Sequence, residues 1–174
     1  MIDKDNLFHE AANSYWISST EETHHKPLEE DIEVDVAIVG GGMVGIVTAY
    51  LLQKSGFKVA IFEKNRIATG ASGHTTAKIT SQHGLIYHNI IINNDLETAT
   101  QYASSNQWAV SFIEDTIKEL KIDCDYSKED AYIYTCDSKY LSKIKDEVDA
   151  AKSAGINASF VQELSLPFPI LGAV

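Results

Sequence analysis

The chain predicts an α/β fold in which parallel strands are layered with helices, and three features of its 174 residues carry that prediction. An apolar stretch, Val34 to Val39, runs straight into Gly40-Gly41-Gly42-Met43-Val44-Gly45. A helical pattern follows, and a second apolar stretch then ends in Glu63. Strand, glycine-bearing turn, helix and strand in that order make a βαβ unit of the dinucleotide-binding kind.

Each element has a physical job. Gly40 permits the tight strand-to-helix turn, Gly42 lets main chain approach a pyrophosphate with no Cβ in the way, and Gly45 lets the helix pack closely on the strand. The pyrophosphate is expected at the helix N-terminus, around Met43 and Val44, where unpaired N–H groups and the positive end of the helix dipole favour an anion without any lysine. Met43 to Lys54 reads as that helix, with Val44, Val47, Leu51 and Leu52 on one side, small Ala49 facing the sheet and Gly56 just past its end. Phe57 to Phe62 reads as a parallel strand buried on both faces. Glu63 then stands near the ~20-residue interval at which an acid accepts hydrogen bonds from the adenosine ribose. An ordinary buried βαβ unit leaves Glu63 unexplained, and an acid at that place disfavours a 2′-phosphorylated cofactor.

Composition sets the remaining bounds. With 44% hydrophobic residues the chain has ample material for one domain or a domain and a half. Fourteen basic against 25 acidic residues give a formal charge of −11, which argues against nucleic acid and anionic lipid as partners. No apolar run approaches the ~20 residues needed to span a bilayer and no signal core is visible, so a cytoplasmic protein without a membrane partner is expected. Cys124 and Cys136 lack the spacing of a metal pair and read as reduced packing residues, and no metal site is expected.

Residues 1–30 read as a polar N-terminal arm whose Tyr15-Trp16 pair docks on the body, with His24 and His25 solvated. Residues 31–90 hold the βαβ unit and a run of small and hydroxyl residues, Thr69 to Lys78. That run is either a second anion and ring-edge site, opening a short helix, or a solvated surface loop. Residues 91–174 form a third region. Asn94 and Glu97 read as an N-cap pair for one long amphipathic helix over 95–121, in which Tyr102 and Trp108 are core fillers. Ala131 to Thr135 alternates as a strand does, Leu141 to Gly155 marks another helix, and Ala158 to Gln162 is a short strand. The apolar end, Leu166 to Val174, reads as a truncation that leaves a sheet unfinished.

The segments Ile38 to Gly45, Ala49, Gly56, Glu63-Lys64 and Thr69-Gly70-Ala71-Ser72-Gly73-His74 together resemble the FAD-dependent oxidoreductases of the D-amino acid oxidase type, which include glycine oxidase and sarcosine oxidase. Ser14-Tyr15-Trp16, Gly73 to Lys78 and Ser81 to Tyr87 further resemble a bacterial subgroup that often carries a C-terminal Rieske-type domain. The resemblance implies a Rossmann-like FAD-binding layer followed by the beginning of an antiparallel substrate domain, incomplete in these 174 residues. It implies that Gly40, Gly42, Met43, Val44 and Gly45 hold the pyrophosphate, that Glu63 takes the ribose and that Lys64 lies at the adenine end. Gly70, Ala71, Ser72, His74, Thr75 and Thr76 would meet the middle of FAD and the flavin ring. Dimethylglycine-type dehydrogenases bond a histidine at the place of His74 covalently to flavin, after a tryptophan. Here Gly73 takes that place, and His74 is read as hydrogen-bonding or structural. No Cys-x-His and Cys-x-x-His pair occurs, so no Rieske centre lies within this stretch.

The expected function is therefore the FAD-binding N-terminal portion of a flavin-dependent oxidoreductase that oxidises a C–N bond of a small amine or amino acid. Two alternatives stand beside it: a truncated, non-catalytic FAD-binding remnant, and a fragment of an NAD-dependent dehydrogenase. Catalytic residues, substrate, electron acceptor and oligomeric state are not legible.

Overall fold

The computed structural model describes residues 14–174, so the first 13 residues of the predicted arm lie outside the described residues. The chain divides into two compact units, Met1–Lys78 and Ile79–Val174.

In the first unit a short helix, α1 (Tyr15–Ser18), precedes β1 (Val36–Val39), α2 (Met43–Lys54) and β2 (Val59–Phe62), and a 3-10 turn follows at Ala71–His74. β1 and β2 pair in parallel, Val36 opposite Val59 and Val39 opposite Phe62. Both strands are shorter at their starts than the apolar pattern predicts. Asp35 explains part of this, because its Oδ2 accepts the Lys58 N–H at 2.7 Å, so a side chain ties the strand entrances together. α2 has the predicted bounds, ending where Ser55 accepts the role of C-cap before Gly56. Of the arm's aromatic pair, Trp16 docks by donating its Nε1–H to the Thr75 carbonyl, whereas Tyr15 is exposed.

The expectation that the second strand is buried on both faces is overturned, since no residue of β2 is fully buried and Ile61 is exposed. Within the described part of this unit only Gly41 and Gly73 are buried, and Val39 and Val44 are 90% and 81% exposed. Two strands with one crossover helix have a cover for a single face and keep both edges open, whatever the apolarity of the residues.

The second unit contains α3 (Ile86–Asn93), α4 (Leu96–Leu120), β3 (Tyr134–Thr135), a 3-10 turn at Ser138–Tyr140, α5 (Leu141–Ser153) and β4 (Gly172–Ala173). Tyr87, Ala99, Ala103, Ala150, Ala151 and Ala154 form one buried cluster, in which alanines allow the helices to approach closely. Ile144, Val148 and Val174 form a second. The long helix is capped by Asp95, whose side chain accepts the Thr98 N–H at 2.7 Å, and not by Asn94 as the sequence pattern suggests. Both residues are good caps, and only the extended backbone at Asp95 places its oxygen over the first turn. Trp108 is not a core filler: it is 60% exposed and stacks on Phe112 along the outside of α4.

The predicted strands here shrink to β3 and to a single bridge at Val161. The terminal apolar segment supplies β4, with β3 on one side and Val161 on the other. Cys124 and Cys136 are free and exposed, so neither is a packing residue.

α3 was not announced by periodicity. Its N-cap, Leu85, makes no side-chain cap, and the free N–H groups of Tyr87 and His88 are taken by Glu147 on α5, at 3.1 and 2.8 Å. Glu147 is fully buried and also accepts from the Gln82 amide at 2.9 Å. A helix start capped from 60 residues away leaves no local signature.

Candidate functional site

The glycine turn between β1 and α2 is where the first unit's polar groups converge. Gly40 sits at φ +104°, a conformation L side chains rarely adopt, and its N–H still reaches the Phe62 carbonyl at 2.8 Å. Gly45 faces the turn so closely that a Cβ there would lie 2.1 Å from the Gly40 carbonyl oxygen. A Cβ on Gly42, by contrast, would meet only Ser72 Oγ, at 3.5 Å, so the main chain of Gly42 borders open space. The turn is thus packed where the helix crosses the strand and bare where the helix begins.

Three groups are aimed at that bare end. Helix geometry leaves the N–H groups of Met43, Val44 and Gly45 without intrahelical acceptors, and the helix dipole adds a partial positive charge. Ser72 accepts the Met43 N–H at 2.9 Å, which draws the hydroxyl-rich loop to the helix N-terminus from 29 residues away. Glu63, at the tip of β2, accepts the Gly41 N–H at 2.8 Å and the Asn65 N–H at 3.0 Å, one on each carboxyl oxygen. These main-chain donors, Gly41 first and then Asn65, with a smaller contribution from the Lys64 N–H, hold the Glu63 carboxyl below its ordinary value and so keep it ionised. Each of its oxygens retains a further lone pair for a hydroxyl donor.

Ala71, Ser72 and His74 lie on the 3-10 turn with Gly70 as its N-cap, while Thr75 leaves it in extended conformation. His74 directs Nδ1 to the Gly70 carbonyl at 2.8 Å, so Nδ1 carries the proton in that contact. Lys64, Thr75 and Thr76 are exposed. The predicted residues Gly40, Gly42, Met43, Val44, Gly45, Glu63 and Ser72 therefore meet at one turn, with Lys64 beside Glu63, whereas His74 bonds within the 3-10 turn and Thr75 leaves it.

Several participants had escaped the pattern. Gly41 is buried, and a Cβ there would come within 2.7 Å of Ile67, so the middle glycine is required by packing. Its carbonyl also accepts the Ala68 N–H at 2.8 Å, fastening the start of the hydroxyl loop. Asn65 and Trp16 act through single hydrogen bonds, for which no sequence spacing exists. Among the described residues no cluster of three or more metal-ligating side chains occurs, and no helix is long and apolar enough to cross a membrane.

Residues 35–170 match the family model described as FAD dependent oxidoreductase. Among curated proteins, the chain is 40% identical over 158 residues to the protein named as a Rieske 2Fe-2S iron-sulfur protein, YhfW, of Bacillus subtilis, an alignment covering 91% of the chain and 31% of that protein. It is 30% identical over 139 residues to gamma-glutamylputrescine oxidoreductase of Escherichia coli, covering 79% of the chain and 32% of the relative. A shorter stretch of 43 residues, 25% of the chain, is 56% identical to thiamine thiazole synthase of Pyrococcus horikoshii and covers 17% of that enzyme. The chain thus spans about a third of the two longer matches.

Proposed function

This chain belongs to the family of FAD dependent oxidoreductases, whose members bind FAD, and from that premise we propose that it forms the cofactor-holding N-terminal part of an enzyme oxidising a C–N bond of a small amine or amino acid. The E. coli relative is by name an oxidoreductase of gamma-glutamylputrescine, an amine, which supports the substrate class.

The residues fit the cofactor on one observation above the rest: Glu63 and Ser72 converge by hydrogen bonds on a turn whose Gly42 face is bare. In this reading the turn of Gly40, Gly42, Met43, Val44 and Gly45 binds the pyrophosphate, Gly40 shaping it through its bond to the Phe62 carbonyl and Ser72 sharing the Met43 N–H. Glu63, held ionised by its main-chain N–H donors, accepts from the ribose hydroxyls, and Lys64 flanks the adenine end. Gly70, Ala71 and Ser72 line the middle of the cofactor, and His74, Thr75 and Thr76 border the flavin ring. His74 orients the turn through its bond to the Gly70 carbonyl. FAD, when bound, supplies the ring that accepts hydride, and the chain's own residues hold and orient it.

Titration of FAD into the protein, followed by flavin fluorescence, tests the reading. Saturable binding is expected, weakened about tenfold or more by Glu63→Gln, which replaces one accepting oxygen by an NH₂ facing an N–H donor. Absence of saturable binding by the wild-type chain rejects it.

A second reading, that these 174 residues hold FAD without turning over, is favoured by the exposure of Val39 and Val44 beside the turn. A flavin pocket with one open wall neither excludes solvent nor positions a substrate. Flavin reduction by an amine under anaerobic conditions separates the two readings.

A further inference from the structure

The N-terminal arm is bonded to the hydroxyl loop at a place where it sets main-chain geometry. Trp16, on α1, donates its indole N–H to the Thr75 carbonyl at 2.7 Å, across 59 residues of sequence. Ile17 lies against buried Gly73, where a Cβ would come within 3.1 Å of Ile17 Cγ1 and 2.4 Å of the Ala68 carbonyl. The end of the same arm is tethered by Arg66, whose guanidinium donates to the Thr20 and Glu21 carbonyls at 3.5 and 3.4 Å. Thr75 itself is extended, at φ −82° and ψ 159°, so it has left the 3-10 turn and has no helical bond to orient it.

A peptide group is planar and trans, so its C=O and the following N–H point in opposite directions. Trp16, by holding the Thr75 carbonyl toward α1, directs the Thr76 N–H away from α1. We propose that Trp16 is a positioning residue for FAD: it fixes the Thr75–Thr76 peptide so that the Thr76 N–H is presented to the flavin half of the cofactor. The inference rests on the reading that Thr75 and Thr76 border the flavin ring, and it adds a role for a side chain that itself touches no cofactor. Without the Trp16 bond the exposed peptide is restrained only from its other side, where Thr75 Oγ1 accepts the Ala77 N–H at 3.1 Å, and ordering it fully on binding then costs affinity.

The test compares FAD with ADP, which lacks the flavin and reports on the glycine turn and Glu63 alone. Trp16→Phe keeps an aromatic, though smaller, ring and removes the donor. It is expected to weaken FAD binding about three- to tenfold, the usual worth of one such bond, with the ADP affinity unchanged. Arg66→Gln, which loosens the arm from its other end, is expected to act in the same direction and more weakly, and it serves if the tryptophan variant does not fold. Equal loss of FAD and ADP affinity overturns the inference, because it marks a general loss of structure. Unchanged FAD affinity in folded Trp16→Phe also overturns it while leaving the cofactor reading intact. A wild-type chain that binds ADP no more weakly than FAD shows that the loop does not meet the flavin, which defeats the loop assignment and the inference with it.

Discussion

The two units of this chain are held together in opposite ways. In residues 14–78 hardly anything is buried, and order is imposed by main-chain hydrogen bonds around a glycine turn, closed by Glu63 and Ser72. In residues 79–174 three helices close on alanines and Tyr87, and a polar group, Glu147, is sealed inside with its partners. The contrast teaches where binding capacity resides. In the second unit the buried Glu147 carboxylate is committed to internal donors, although Ile92, Trp108 and other large apolar side chains stay exposed, whereas at the glycine turn the main chain of Gly42 borders open space beside the Glu63 carboxyl.

The largest expected effect comes from crowding the turn. Gly45→Ala places a methyl group 2.1 Å from the Gly40 oxygen, and the helix must shift from the strand at a cost of about 3 kcal/mol or more. Hydrogen exchange is expected to lose protection across β1, α2 and β2 while α4 and α5 keep theirs. Gly42→Ala sharpens the same point, since its methyl meets only Ser72 at 3.5 Å. That variant should fold with normal protection and bind FAD poorly, and a Gly42→Ala chain with wild-type FAD affinity would remove the pyrophosphate from this turn.

Glu147→Ala strikes the other unit by stranding three donors, those of Gln82, Tyr87 and His88. Each buried donor left unpaired costs about 1–3 kcal/mol, so a loss of about 3 kcal/mol is expected after water enters the gap. Amides of α3 should lose protection first. If Gly41 and the β1 amides open to the same extent, the two units do not differ in what holds them, and the comparison fails.

The smallest effect is a titration. Because its folded value lies below the ordinary 4.5, Glu63 contributes stability that is present above the usual carboxylate range and is lost as pH falls through the lower folded value. The Gly41 and Asn65 amide resonances are expected to move together on acidification, with one midpoint below 4.5. Separate midpoints for the two amides would mean that they do not share this carboxyl group.

Much of the first unit was legible because its signals are local. The bounds of α2, the positive φ of Gly40, the close approach at Gly45 and the acid ending β2 all follow from residues within one βαβ unit. The hydroxyl loop was legible only as two alternatives, since nothing in Thr69 to Lys78 names the Met43 N–H as the partner of Ser72. The second unit was less legible. Asn94 and Asp95 are equivalent caps by type, and Trp108 sits at a helical spacing that a core residue shares with a half-covered one.

By itself the sequence determined the strand–turn–helix–strand order, the bounds of α2, α4 and α5 to within about two residues and the chemistry available at the turn, because propensity, glycine conformation and apolar period act over a few residues. Only the tertiary structure decided which distant groups meet: Ser72 with Met43, Trp16 with Thr75, Glu147 with the start of α3, and the terminal strand with Tyr134 and Val161. The physical reason is that one hydrogen bond needs one donor and one acceptor at about 3 Å, and almost any pair of polar residues meets that requirement once packing has brought them together.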